Sequence, residues 1–451
     1  MTVREIGWLI RSRKVSCKEL VEQTFADLRE RDKFNSLITL TADEALAEAK
    51  QRDRELAAGI DRGPFHGVPV AYKDLFYTRG VRTTGGSLLF RDFVPEYNAT
   101  AVERLETAGA ISIGKTNLHE LAYGITSKNP HYGWVRNPLD PTRLAGGSSG
   151  GSAALIAGGF IPMSLGTDTG GSIRIPASFC GIVGLKPTYG RVSRHGVVPL
   201  TFSLDHVGPL GACVDDCAVA MNVIAGRDVH DSSSANVPVP DYNGDLIESL
   251  RGVNVGVPRN FFFDAVDEEV ESAVRKSVAV MERLGALILE VDVPDMEQAN
   301  AAARMIQLPE AAAVYYGYDD PALFGADVWA LIEQGRMVMG HEYINAQRVR
   351  TLFRRDFDEL WTHVDVLATP ATPTVAPGID EASVTIRGAR EDTRMASTRL
   401  VRAVNFLGEP ALSMPCGKTA AGLPVGLQLI SAPFSEARLF AIARTVESAV
   451  R

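Results

Sequence analysis

From residue 16 onward the sequence alternates between helical and β-forming segments, and a chain built that way has few packings open to it. Ser16-Cys17-Lys18-Glu19 reads as a capping box: the serine hydroxyl accepts from the Glu19 backbone and the glutamate reaches back to the Ser16 amide. It opens a predicted helix running to about Arg31, and Thr41-Ala42-Asp43-Glu44 repeats the device for a helix that stops near Gly59. Residues 67–73 read as a short strand ending in Lys73, residues 99–108 as a helix closed by Gly109, and residues 110–114 as a strand. Further strands are expected at 160–165, 253–257, 286–291, 364–369, 411–415 and 425–431, with helices at 149–158, 266–284 and 436–449. This alternation predicts an α/β chain with helices layered on both faces of a sheet. The polar, proline-bearing stretch 228–243 fits either a linker or a long surface loop.

Charge and cysteine content narrow the functions open to the chain. Acidic residues outnumber basic ones, 55 to 46, for a net charge of −9, and no basic cluster stands out, so no nucleic-acid partner is expected. The five cysteines, Cys17, Cys180, Cys213, Cys217 and Cys416, are scattered and odd in number, which argues against a disulfide framework. Cys213 and Cys217 lack the spacing of a zinc knuckle, and Tyr123 interrupts the zincin-like start His119-Glu120. Neither a metal nor another cofactor is expected. The longest uncharged run, residues 144–167, has the length of a membrane span but is crowded with Gly and Ser and carries Pro162. With no signal-peptide pattern in residues 1–16, the chain reads as cytoplasmic, with no membrane partner.

Glycine is where composition departs from the ordinary: of 41 glycines, 12 lie within residues 144–190. Three motif matches fall in or near this belt. Residues 109–116 fit a P-loop letter for letter, but a P-loop follows a strand and bends, whereas these middle residues are stiff β formers preceded by a helix. Helix, glycine cap and strand is the preferred reading. Residues 147–151 fit a nucleophile elbow centred on Ser149, which with Asp205 and His206 would make a Ser-His-Asp esterase. An elbow needs a strand leading into it, and a loop with Pro138 and Pro141 stands there instead.

The third match combines Lys73, Ser148 and Ser172. Thr169, Gly170, Gly171 and Ser172 can aim successive N–H groups at one spot, a nest suited to an oxyanion. A serine closing that nest is a natural nucleophile, and a lysine can activate it only if desolvation keeps the amine neutral. Lysine is used sparingly, ten against 36 arginines, and an arginine could not give up its proton. Strand alternation puts Lys73 on the face of Pro69 and Ala71, with Asp74 turned the other way.

Together these residues resemble the amidase signature family. Gly-Gly-Ser-Ser-Gly-Gly-Ser at 146–152 and Gly-Thr-Asp-Thr-Gly-Gly-Ser-Ile-Arg at 166–174 match its fingerprint, as do the spacings of 75 from Lys73 to Ser148 and 24 from Ser148 to Ser172. Residues 114–117 with Glu120, 184–188, 205–209 and 422–428 agree. The resemblance implies one α/β/α layered domain over residues 1–451 around a twisted mixed sheet, with a catalytic core at about 60–210 and pocket-forming elements at about 300–410. It implies a Ser–cis-Ser–Lys triad: Ser172 as acyl nucleophile, Ser148, preceded by a cis peptide, as proton relay, and Lys73 as base. The amides of Thr169, Gly170, Gly171 and Ser172 would form the oxyanion hole. Ala122 and Ser148 would touch substrate, and Ser149, Asp168 and Arg174 would support the loops. The expected substrate is a small amide or carbamate cleaved through an acyl-enzyme, with urethanase or esterase activity within reach. An inactive scaffold is disfavoured because all three triad residues are present. The assembly is left open, a homodimer among the options.

One branch of this family comprises the glutamine-hydrolysing subunits of the tRNA-dependent amidotransferases, which release ammonia from glutamine. Those subunits usually carry an Asn-Leu-Ala-Arg-Tyr-Asp-Gly-Val-like segment, where residues 306–318 here read Ile-Gln-Leu-Pro-Glu-Ala-Ala-Ala-Val-Tyr-Tyr-Gly-Tyr. An acidic residue they carry seven positions before a family Asn is replaced by Thr398, ahead of Asn405. These departures, with stand-alone-like residues 319–325, favour a free-standing amide hydrolase over the tRNA-linked branch. Residues 305–343 and 376–406 are expected to shape its pocket.

Overall fold

The computed structural model describes residues 1–244 and 247–450. Its central sheet contains β1 (Leu37–Leu40), β2 (Pro69–Lys73), β3 (Ile111–Thr116), β4 (Met163–Asp168), β5 (Val183–Lys186), β6 (His206–Gly211), β7 (Asn254–Pro258), β8 (Leu287–Val291), β9 (Val366–Pro370), β10 (Ala411–Lys418) and β11 (Pro424–Ile430). They lie in the order β1-β3-β2-β4-β6-β5-β10-β11-β9-β7-β8. The sheet is mixed: β2 runs parallel to β3 and β4, and β7 parallel to β8 and β9, while the other neighbours are antiparallel. Helices Gly150–Ala157 and Val214–Ile224 pack on the half that holds β4 and β6, and Glu268–Arg283 and Glu436–Val450 on the half that holds β10 and β11. This is the α/β architecture that the alternation predicts, with the mixed sheet that the family resemblance implies. β2, β3, β4 and β6 are buried along their whole length, as strands sheathed by helices must be.

Local chemistry explains where element boundaries fall. The Ser16 capping box forms, with Glu19 N donating to Ser16 Oγ at 3.1 Å and Ser16 N to Glu19 Oε2 at 2.9 Å. The Thr41 box does not: Thr41 Oγ1 donates instead to Ser112 O on β3 at 2.9 Å, so helix Ala42–Ala57 starts without a side-chain cap. The strand expected at 160–165 begins three residues later, after Pro162, whose missing N–H cannot join a ladder. The P-loop match resolves into β3 with a bulge against β2. At Gly114, where φ is +148°, a Cβ would lie 2.2 Å from Thr39 O, so the position requires glycine for close strand approach rather than for phosphate. Residues 228–243 form no helix or strand, and Asp228 ties them back by accepting from Thr100 Oγ1 at 2.6 Å and Ser193 Oγ at 2.5 Å. No helix among the described residues is long and apolar enough to cross a membrane.

Candidate active site

Because β2 and β4 are parallel neighbours, their carboxyl ends open side by side, the usual ligand position in α/β sheets. Lys73 ends β2, Thr167 and Asp168 end β4, and both glycine-rich segments meet there. Lys73 is fully buried, and its Nζ donates to Ser148 Oγ at 2.7 Å and to Thr167 Oγ1 at 2.8 Å. Burial drives its pKa down from 10.5 to about 7, against the opposing pull of Asp168 and Asp205. Near neutral pH much of this amine is therefore unprotonated and able to take a proton from a serine hydroxyl. Asp74 turns away from Lys73, accepting from Thr84 N at 2.9 Å and facing Lys115 Nζ at 3.5 Å.

The Gly147–Ser148 peptide is cis. A Cβ on Gly147 would lie 2.6 Å from Ser127 Oγ and 3.0 Å from the Ile125 backbone, so this turn is closed to larger residues. Ser149 N donates to Ser172 O at 3.2 Å, joining the two serine segments. Ser149 Oγ donates to Thr167 O at 3.2 Å. Asp205 accepts from Thr169 Oγ1 at 2.6 Å, and His206 Nδ1 lies 2.6 Å from Leu204 O. The three residues of the elbow reading are thus engaged elsewhere, and no hydrogen bond links them among the described residues.

Asp168 organises the second loop. It accepts from Gly171 N at 2.7 Å and Ile173 N at 3.1 Å, and pairs with the Arg174 guanidinium at 3.1 Å. Burial would raise its pKa, but the charges of Arg174 and Lys186 and hydrogen bonds from Arg174 and Asn405 hold the carboxyl well below the usual range. Arg174 also donates to Asn405 Oδ1 at 2.6 Å and Gln428 Oε1 at 2.7 Å, fixing the loop to distant parts of the chain. One expectation needs correction. The Gly171 amide, counted among four oxyanion donors, is engaged by Asp168, because the +115° φ of Gly171 turns it back toward the start of the loop. The amides of Thr169, Gly170 and Ser172 have no hydrogen-bond acceptor among the described residues.

Ser172 is 4% exposed and lines a cavity of about 210 Å³ with Ala122, Tyr123, Thr169, Gly170 and Arg402. A second cavity of about 240 Å³ shares Ala122 and Thr169 and is lined by Leu75, Thr167, Val198 and Leu200. Ala122, with φ +59°, and Thr169 therefore border both chambers. Lys73 and Ser148 are brought into direct contact, whereas Ser148 and Ser172 are linked through backbone and their hydroxyls share no hydrogen bond among the described residues. Sequence reasoning missed Thr167, Tyr123 and Arg402. Thr167 stands inside the Gly-Thr-Asp segment, two positions before Thr169, where strand alternation gives it the same side. Among the described residues, no three His, Cys, Asp or Glu side chains are grouped to hold a metal.

Comparison with known proteins identifies the family. The family model described as Amidase matches residues 19–440. The glutamyl-tRNA(Gln) amidotransferase A subunit of Anaeromyxobacter dehalogenans is 44% identical over 473 residues, spanning 99% of this chain and 95% of that one. A solved chain from a vestigial protein complex, described as revealing the evolutionary origins of an s-triazine catabolic enzyme, has a TM-score of 0.95 and 35% identity over 99% of this chain and 98% of its own. A solved amidase has a TM-score of 0.92 and 34% identity over 100% of both chains. With likeness of this extent laid over a buried lysine, paired serine loops and a mixed sheet, the chain belongs to the amidase signature family of serine hydrolases, whose enzymes act on C–N bonds.

Proposed function

We propose that the protein is a free-standing hydrolase of small amides, working through Ser172, Ser148 and Lys73. The observation that carries this reading is the buried contact between Lys73 Nζ and Ser148 Oγ at 2.7 Å, with the amine's pKa lowered to about 7. Neutral Lys73 takes the Ser148 proton as Ser148 takes the Ser172 proton, and Ser172 Oγ attacks the carbonyl carbon. Charge developing on the carbonyl oxygen meets the amides of Thr169, Gly170 and Ser172, which are preorganised for it. As the C–N bond breaks, the Lys73 ammonium returns its proton through Ser148 to the leaving amine. Water then enters, gives a proton along the same relay and frees the acyl group from Ser172. Asp168 and Arg174 hold the loop without touching substrate, and Ala122 borders the reacting carbon. Carbamates and esters are open to the same chemistry. The reading takes the chain as one domain with its core at residues 60–210.

A second reading, the glutamine-hydrolysing component of a tRNA amidotransferase, is favoured by the 44% identity to such a protein. Against it stand Thr398 in place of an acidic residue and the altered stretch 306–318, both of which fall in or beside the cavity. The test is hydrolysis of anilides, primary amides, a urethane and glutamine by the isolated chain and by Ser172→Ala. Turnover of amides by the isolated chain, abolished in Ser172→Ala, is expected; glutaminase activity arising only with partner proteins would favour the second reading.

A further inference from the structure

The cavity in front of Ser172 is unusual in its charge. Arg402 lines it and is 9% exposed, yet no carboxylate faces this guanidinium among the described residues. One of its nitrogens donates to Thr398 Oγ1 at 2.6 Å, and its Nε has no partner. The Tyr123 hydroxyl, on the same cavity wall and 4% exposed, also has none. Arg304 and Arg394 line the cavity as well, and neither forms an ion pair among the described residues. Burial, with the charges of Arg304 and Arg394 beside it, lowers the Arg402 pKa from 12.5 to about 10. The one acidic wall residue, Asp392, is committed to capping helix Thr393–Arg399, accepting from the Arg394 and Met395 amides at 3.0 Å. A buried guanidinium without a counter-charge, two half-buried arginines and an unpartnered buried phenol around one cavity call for an anion, since an uncompensated buried charge is costly.

Position ties this anion site to the reaction. A Cβ on Gly170 would lie 3.9 Å from Arg402 Nε, and Gly170 is one of the free amides of the nest. Gly170 and Ser172 are two peptide units apart, at most about 7.6 Å between their Cα atoms. An anionic group held by Arg402 and Tyr123 therefore sits only a few bonds from a carbonyl at Ser172. The cavity, about 210 Å³, is smaller than the sites that hold drug-sized ligands.

Building on the amide-hydrolase reading, we propose that the substrate is a small amide carrying a carboxylate close to its scissile carbonyl, recognised by Arg402 and Tyr123 with Arg304 and Arg394 beside them. Charge-assisted contacts of this kind separate a carboxylate from a neutral isostere strongly. Thr398 contributes only a hydroxyl beside Arg402, so an ammonium on the substrate finds no counter-charge there. The experiment compares succinamate with butyramide, its neutral analogue with a methyl group in place of the carboxylate, and glutaramate with glutamine. We expect kcat/KM for succinamate to exceed that for butyramide by about 10²-fold, and glutaramate to exceed glutamine. Arg402→Gln should lower the succinamate-to-butyramide ratio about 10- to 100-fold, and Arg394→Gln, at a more exposed position, should lower it less. Calorimetric binding of succinamate and butyramide to Ser172→Ala gives a readout free of turnover. Preferential succinamate binding, lost in Arg402→Gln, supports the anion site even if no amide is hydrolysed, and that outcome overturns only the hydrolase reading. Equal binding and equal turnover of the two amides overturns the anion site and leaves the hydrolase reading standing.

Discussion

Replacing Lys73 with methionine should abolish turnover and yet stabilise the fold at neutral pH. The side chains are similar in length, so the change removes charge with little change in packing. Holding the ammonium's pKa at about 7 instead of 10.5 weakens the folded state by roughly 4–5 kcal/mol at pH 7. Methionine lifts that burden but leaves Ser148 Oγ and Thr167 Oγ1 without their Lys73 partner, at about 1 kcal/mol each, since both can rotate and Thr167 borders a cavity. The net gain is about 2–3 kcal/mol at pH 7. Its pH dependence is the sharper signature. Between pH 7 and 10.5 the unfolded wild-type chain keeps a proton that the folded chain has lost, so raising the pH stabilises the wild type. The advantage of Lys73→Met should shrink by about 1.4 kcal/mol per pH unit and nearly vanish by about pH 9. Below pH 7 both states bind the proton and the difference levels off. Urea unfolding of the two proteins at pH 6, 7, 8 and 9 measures this, because every other titrating group is common to both. A difference that stays flat from pH 7 to 9, or a variant less stable at all pH values, would refute a desolvated, neutral Lys73.

Other perturbations test the surrounding parts. Thr167→Val removes one acceptor from the Lys73 ammonium, so the acid limb of the kcat/KM profile, expected near pH 7 in the wild type, should move to lower pH. Gly171→Ala places a Cβ 2.4 Å from Val401 Cγ2 at a φ of +115°; melting curves should register a loss of about 2 kcal/mol or more, with turnover falling alongside. Arg174→Met leaves the buried Asp168 carboxylate without its ion pair and should cost about 3–5 kcal/mol in denaturant unfolding, most of it recovered below the pH at which Asp168 protonates.

Local signals are the legible ones. The Ser16 box, the alternation of elements and the glycine loops rest on interactions a few residues apart, and the fold class follows from them. Thr41 misleads because its hydroxyl finds a partner on β3, 71 residues away, which no local pattern encodes. The helix Val3–Arg11, opened by a Thr2–Glu5 box, carries the same local signature as Ser16 yet is absent from the expected elements. At the candidate site, Lys73, Ser148 and Ser172 stand out because glycine spacing marks where backbone must turn. The Gly171 amide reads as outward-facing because spacing gives no direction to an N–H; the Asp168 contact that turns it depends on the folded loop. Arg402 and Tyr123 are invisible for a deeper reason. Their significance lies in partners they do not have, and the lack of a counter-charge is a property of the assembled cavity, not of any segment.

The most direct measurement is to react the protein with a fluorophosphonate and locate the adduct by peptide mass spectrometry. An adduct on Ser172, absent in Ser172→Ala and formed far more slowly in Lys73→Met, is the expected result. An adduct on Ser149, or undiminished labelling after Ser172 is removed, would contradict the assignment of Ser172 as nucleophile and Lys73 as its base.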